Sequence, residues 1–290
     1  MTADQPTSSR TELGLHTRNV SRAAVVGWLV AFTAIEWLRY KAETSGPLTG
    51  LEAFAQAVPV LELLEIVFLA RMIDWKAAQP RIGLGEAAAT LVGIAFVTLV
   101  GNGRAIFSAG LLASYALCRF AGDRQHRALV IGLFAFVAQY LLDTGPFLWL
   151  HELVSRLDAS VLRAVLNFAG YDVGGAGTFV AHPSENFAIN IVTGCSSSHV
   201  VAIVAPGFII TVLGLRGSLR RSDLGYLAGL LAATVCLNWL RLLPTAISRA
   251  GYQFWHDGTG ASMLAATYAV LVLGMGYWAT RETKLGQAAQ

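Results

Sequence analysis

The stretch SSSHVVAIVAPGFIITVLGL at residues 196–215 decides the class of fold. It holds about 20 mainly apolar residues without Asp, Glu, Lys or Arg, the length of helix that crosses the hydrocarbon core of a bilayer. Similar runs recur along the chain, in which 55% of the 290 residues are hydrophobic and only 13% are charged. We therefore expect an all-α polytopic membrane protein.

Eight apolar segments predict about eight transmembrane helices in a single domain, residues 1–290. The predicted spans are 23–38, 51–73, 85–100, 105–120, 128–150, 196–215, 224–243 and 259–280. We expect residues 1–22 to be a cytoplasmic tail, because about twice as many Lys and Arg residues then lie inside as outside. No small-residue cleavage site follows the first span, which is therefore predicted to be retained. Both termini would lie in the cytoplasm and the protein in the plasma (inner) membrane.

This threading places residues 151–194 on the outer side as an extracytoplasmic cap. The apolar spacing within 152–168 predicts an interfacial helix lying on the membrane. Residues 171–180 and 186–192 combine glycines with alternating or β-branched residues, which predicts a short extended hairpin.

Composition excludes several classes of function. The net charge of +3 is modest and the basic residues form no patch, so no nucleic-acid partner is expected. Cys118, Cys195 and Cys236 are too scattered for a disulfide framework or a zinc site, and we expect neither a metal nor another cofactor. Cys118 and Cys236 lie in apolar runs, which is typical of small buried residues. Cys195 differs because small and polar residues surround it.

Cys195 is the candidate nucleophile of a catalytic core segment, residues 195–260. It is predicted to begin the sixth span at the outer face, where the partial positive charge of a helix N-terminus favours a thiolate. Thr193 and Ser196–Ser198 add capping groups around it. Asn238 and Arg241 lie one helical turn apart at the outer end of the next span, where a guanidinium lies at the interface or faces a cavity.

His256 precedes the last span on the same side and is the first candidate for a base or polarising donor beside Cys195. Asp257 is either its orienting partner or a helix cap. The alternative base is His199, four residues after Cys195 and therefore on the same face of the predicted helix. His199 would lie one turn deeper in the membrane, away from water, so we rank His256 first.

The order of Cys195, then Asn238-Trp-Leu-Arg241, then His256 resembles the exosortase/archaeosortase family. The resemblance covers residues 162–260 best and includes Leu166-Asn-Phe-Ala-Gly-Tyr-Asp-Val173 and Pro206. The family commonly has Cys-Ser-Gly, whereas this chain has Cys-Ser-Ser, with Ser197 in place of glycine. This departure suggests a divergent subfamily with a non-standard sorting signal.

The resemblance implies a membrane cysteine protease or transpeptidase that acts in protein sorting. Its partners would be exported proteins that end in a short motif such as Pro-Glu-Pro, a transmembrane helix and a basic cluster, as in PEP-CTERM signals. It implies that Cys195 forms an acyl-thioester, that Arg241 is a proton donor or electrostatic partner, and that His256 stabilises the transition state. The bilayer and a lipid or glycan acceptor would be further partners.

A polytopic transporter of small solutes or ions is the alternative function. Glu36, Glu62, Glu65 and Asp143 lie in predicted spans, and intramembrane carboxylates often mark proton or ion paths. The chain has neither an inverted repeat nor matched broken helices, which favours the enzyme.

Overall fold

The computed structural model describes residues 21–44, 60–73, 82–100, 103–120, 126–143, 147–182, 187–256 and 258–288. Most of these residues are helical. The helices are α1 (Arg22–Thr44), α2 (Val60–Met72), α3 (Leu84–Leu99), α4 (Arg104–Phe120), α5 (Arg127–Asp143), α6 (Leu148–Phe168), α7 (Ser197–Arg216), α8 (Asp223–Ile247), α9 (Arg249–Trp255) and α10 (Thr259–Ala288). The described residues form an all-α membrane protein with one small two-stranded sheet.

Four described helices are long and apolar enough to cross a bilayer. They contain the segments Arg22–Tyr40, Ser197–Arg216, Asp223–Ile247 and Thr259–Arg281. Two shorter apolar helices, Leu84–Leu99 and Arg127–Leu142, fall below that length. The chain is therefore an integral membrane protein, while the number of eight spans and the orientation of the termini stay predictions.

α7 is the central helix and packs against α2, α5, α8 and α10. Two glycines let α2 approach it closely. A Cβ on Gly207 would lie 3.2 Å from Leu61, and a Cβ on Gly214 would lie 2.6 Å from Phe68. The absence of these side chains lets α2 lie in van der Waals contact along the C-terminal half of α7.

Several predicted spans differ from the helices, three of them as follows. Residues 128–150 do not form one helix, since α5 ends at Asp143 and α6 begins at Leu148. Gly145 and Pro146 fall between them, and both residues disfavour a continuous helix. α8 runs beyond 243, through Pro244, to Ile247. Of the predicted span 51–73, the first nine positions lie outside the described residues, and α2 covers Val60–Met72.

The cap consists of α6 and a hairpin, as expected, with shifted bounds. α6 starts at Leu148 instead of 152, and its apolar residues include buried ones, such as Leu162 and Leu166, and exposed ones. The hairpin pairs β1 (Phe179–His182) with β2 (Phe187–Asn190), and Val180 and Ile189 face the same buried cluster as α6. β2 leads within a few residues to Cys195, so the cap positions the candidate nucleophile.

Candidate active site

Cys195 lies just before α7, in the 3-10 turn Thr193–Cys195, and not in the first turn of the helix as predicted. Ser196 is the N-cap, and its Oγ accepts from the Ser198 N–H at 3.2 Å. The Ser197 N–H donates to Asp158 Oδ2 at 2.7 Å. The first N–H of the helix therefore donates to a carboxylate and not to the thiol.

His256 is the histidine that contacts Cys195. Its Nε2 lies 3.0 Å from the Cys195 Sγ, within hydrogen-bonding distance, and the cysteine is only 7% exposed. The Tyr252 ring stacks on the His256 ring with centroids 4.6 Å apart, which fixes the plane of the imidazole. A buried thiol beside an oriented imidazole is the arrangement that proton transfer from sulfur to nitrogen requires.

The short helix α9 brings His256 back to the cysteine after α8 has passed it. Ser248 caps α9 by accepting from the Gly251 N–H at 3.0 Å. A Cβ on Gly251 would lie 2.0 Å from the Pro244 carbonyl oxygen, so only glycine allows this approach between α9 and α8. The position of His256 therefore depends on a backbone contact that lies outside the site.

Asn238 and Arg241 both bind the backbone of Cys195 from α8. The Asn238 Nδ2 donates to the Cys195 carbonyl at 3.1 Å, and an Arg241 terminal nitrogen donates to the same oxygen at 3.1 Å. The two residues share one face of α8, as their spacing predicts. The structure thus brings Cys195, His256, Asn238 and Arg241 together.

Asp158 on α6 holds Ser196 and Ser197, the first two serines after the cysteine, and the sequence analysis missed it. Its carboxylate accepts from the Ser196 Oγ (3.2 Å), the Ser197 N–H (2.7 Å), the Ser197 Oγ (2.9 Å) and the Trp239 Nε1 (2.8 Å). The sequence carries a signal for it, since Asp158 lies four residues before Leu162 on the apolar face of α6. A carboxylate on such a face needs buried donors.

Ser197, the departure from the family pattern, has a defined role in this network. Its hydroxyl donates to Asp158 and accepts from the Asn238 Nδ2 at 3.1 Å. A glycine at position 197 would remove one hydrogen bond from the Asp158 carboxylate and one from the Asn238 side-chain amide. The serine therefore links α6 to α8 directly behind the candidate nucleophile.

A second histidine supports the turn that carries Cys195 and the serines after it. The buried His151 contacts the Ser198 Oγ through Nδ1 at 2.7 Å and the Leu142 carbonyl through Nε2. Because a carbonyl only accepts, Nε2 carries a proton, and in the neutral ring Nδ1 accepts from the Ser198 hydroxyl. His151 thus ties α5, α6 and α7 together.

His199 and Asp257 are the other two candidates. His199 lies half-buried on α7, but the helix begins only at Ser197, so Cys195 and His199 do not share a helical face as expected. Asp257 lies outside the described residues.

Three remaining expectations can be compared with the structure. Cys118 and Cys236 are exposed on their helices instead of buried, as lipid-facing cysteines of a membrane protein would be. Within the described ranges, no group of three or more His, Cys, Asp and Glu side chains could hold a metal ion. Glu62, one of the carboxylates behind the transporter alternative, accepts from the Trp37 Nε1 at 2.9 Å and the Gln139 Nε2 at 3.3 Å.

The fold and this arrangement define an integral membrane protein with a buried cysteine that contacts a histidine beside an arginine. The sequence profile of the transmembrane exosortase family matches residues 24–273, and the chain belongs to that family. The family resemblance is therefore confirmed, and the transporter alternative is not favoured. No curated protein and no solved structure matches the chain.

Proposed function

We propose that this exosortase is a cysteine transpeptidase that cleaves the C-terminal sorting signal of exported proteins. It forms an acyl-thioester on Cys195 and transfers the protein to an acceptor, such as a lipid or glycan, at the outer surface of the membrane. The catalytic residues are Cys195, His256 and Arg241, with Asn238 and Ser196 in support. The observation that carries this proposal is the 3.0 Å distance between the Cys195 Sγ and the His256 Nε2.

The first half-reaction forms the thioester. His256 takes the thiol proton, and the thiolate attacks the carbonyl carbon of the scissile peptide bond. The tetrahedral intermediate then collapses, the C–N bond breaks, and the imidazolium returns its proton to the departing amine. The C-terminal segment of the substrate leaves with a new amino terminus.

The second half-reaction transfers the acyl group. A nucleophilic amine or hydroxyl of the acceptor attacks the thioester carbonyl and gives its proton to His256. The Cys195 thiolate is released and takes that proton back. Because Cys195 is 7% exposed, few water molecules reach the thioester, which favours transfer over hydrolysis.

Arg241 acts as a fixed positive charge in both half-reactions. An arginine rarely gives up its proton, so its role is to stabilise the thiolate and the oxyanion instead of acting as an acid. Its hydrogen bond to the Cys195 carbonyl supports this role, because that bond holds the guanidinium against the nucleophile residue.

The membrane contributes to the reaction by concentrating the substrate. The transmembrane helix of the sorting signal would dock beside α7 and α8, which correspond to the predicted sixth and seventh spans. Docking in the plane of the membrane raises the effective concentration of the scissile bond and orients it towards Cys195.

Replacement of Cys195 tests the proposal directly. A Cys195→Ala variant should accumulate in the membrane normally but leave a co-expressed substrate with its C-terminal signal uncleaved. Intact mass measurement of the wild-type enzyme after acid quenching should detect the thioester and identify both the bond cut and the residue acylated. Cys236→Ala, which removes an exposed cysteine from α8, is the matched control and should cleave at the wild-type rate.

Two results would contradict the mechanism. One is normal cleavage by the Cys195→Ala variant. The other is acylation of Cys118 or Cys236 with no acylation of Cys195.

A further inference from the structure

Tyr268 of α10 has a buried hydroxyl without a hydrogen-bond partner among the residues that the structure describes. The side chain is 8% exposed and packs in a cluster with Val200 and Val204 of α7. Val200 lies one helical turn after the serines that follow Cys195. The hydroxyl therefore lies on the membrane-interior side of the site, where an unpaired polar group is costly.

Arg241 presents a second unpaired donor nearby. One terminal nitrogen of its guanidinium binds the Cys195 carbonyl, but its Nε is buried and has no partner in the described part of the chain. Tyr268 belongs to a hydrophobic cluster against which Leu237 of α8, one helical turn before Arg241, also packs. α8 and α10, which carry them, pack together.

Asn238 presents an unpaired acceptor beside these donors. The Cys195 carbonyl is an acceptor, so the amide nitrogen of Asn238 must face it, and the Ser197 hydroxyl accepts from the same nitrogen. The Oδ1 is then directed elsewhere and is buried without a partner within the described ranges. Asn238 and Arg241 are three residues apart on one face of α8.

We propose that Tyr268, Arg241 and Asn238 form a subsite that binds one peptide group of the substrate. The peptide carbonyl accepts from the Arg241 Nε and the Tyr268 hydroxyl, and the peptide N–H donates to the Asn238 Oδ1. Two donors and one acceptor match the hydrogen-bonding groups of an extended backbone. This inference rests on the proposed function, since it assumes that the chain cleaves a peptide.

The location of the subsite assigns it to one side of the scissile bond. Tyr268 lies on the membrane-interior side of Cys195, towards which the transmembrane helix of a sorting signal continues. The peptide bond that is cleaved must leave the helical conformation before it can be attacked. The peptide groups that follow it then lack their helical hydrogen bonds in a region poor in water. The subsite binds such a group on the C-terminal side of the cleaved bond.

Tyr268→Phe is the sharpest test, because it removes only the hydroxyl. The folded chain loses no hydrogen bond in the described region, so the unfolding temperature in detergent should be unchanged or raised. The rate of substrate cleavage in membranes, followed by pulse–chase, should fall about tenfold, since a buried substrate carbonyl loses one donor. Tyr277→Phe, at an exposed position of α10, is the matched control and should cleave at the wild-type rate.

A second measurement separates substrate binding from an effect on the nucleophile. Alkylation of Cys195 by iodoacetamide, quantified by peptide mass spectrometry, should proceed in Tyr268→Phe at the wild-type rate. An alkylation rate that falls as far as the cleavage rate would mean that Tyr268 acts on the thiol, and it would overturn the subsite. Wild-type cleavage by Tyr268→Phe would overturn it too, while loss of cleavage in Cys195→Ala would still uphold the proposed function.

Discussion

Two buried polar regions of this protein differ in how their carboxylates are hydrogen-bonded. Beside Cys195, Asp158 accepts four hydrogen bonds, two of them from rigid donors, the Ser197 N–H and the Trp239 indole. On α2, Glu62 accepts from two side chains, and neither oxygen of the neighbouring Glu65 has a partner among the described residues. A carboxylate with a full set of hydrogen-bond donors holds a backbone turn in one geometry. A carboxyl group without hydrogen-bond partners holds its surroundings less firmly. We therefore infer that the catalytic geometry depends on Asp158 and not on Glu65.

Asp158→Ala should have the largest effect in this comparison. The serine hydroxyls can rotate towards other acceptors, but the Ser197 N–H and the Trp239 indole cannot, so the unfolding free energy should fall by about 3 kcal/mol. The turn that carries Cys195 then loses its support, and cleavage should fall about a hundredfold. Chemical denaturation in detergent and pulse–chase cleavage measure the two effects.

Glu152→Ala provides the control for Asp158 on the same helix. Glu152 is 60% exposed in its side chain and pairs with the equally exposed Arg156, so its loss should change stability by less than about 0.5 kcal/mol. Equal effects of the two substitutions would show that Asp158 has no special role in the site.

Gly251→Ala should have the next largest effect, and it leaves the Asp158 network intact. The new Cβ would lie 2.0 Å from the Pro244 carbonyl, so α9 must move away from α8 and carry His256 with it. A displacement of about 1 Å should slow cleavage about tenfold to a hundredfold. Pulse–chase cleavage measures this loss, and iodoacetamide alkylation should report a less reactive Cys195.

Gly229→Ala is the control for this substitution. A Cβ at Gly229 of α8 would come no closer than 3.7 Å to Met275, an ordinary contact, so we expect wild-type cleavage. If Gly251→Ala also cleaves normally, the position of His256 does not depend on the close approach of α9 to α8.

These cases show what the sequence could and could not predict. Hydropathy predicted a helical membrane protein, and the spacing of Asn238 and Arg241 predicted their common face. The sequence could not predict that α9 returns His256 to Cys195, because that return depends on one close backbone contact at Gly251. Nor could it predict the Asp158 network, whose partners come from residues about 40 and 80 positions away on α7 and α8.

The break between α5 and α6 illustrates a different limit. Hydropathy alone joined residues 128–150 into one span, although Gly145 and Pro146 within that segment are typical helix breakers. The turn signal was present in the sequence, but the length of the apolar run outweighed it. Local turn residues should therefore limit a predicted span even where hydropathy continues.

Glu65→Gln should have the smallest effect and is the most direct challenge to the comparison. The substitution keeps the size of a side chain that is 1% exposed, and it removes an ionisable group that accepts no hydrogen bond from the described residues. We expect a change in stability of less than about 1 kcal/mol and cleavage within about twofold of wild type. Glu62→Gln keeps one side-chain oxygen that accepts from Trp37 and Gln139, so its effects on stability and cleavage should be similarly small. Glu62→Leu removes both side-chain oxygens and should cost about 2 kcal/mol, because the Trp37 indole and the Gln139 amide lose this acceptor. A strong loss of cleavage in Glu65→Gln at normal stability would reverse our inference, since it would mean that the Glu65 carboxyl group takes part in the reaction.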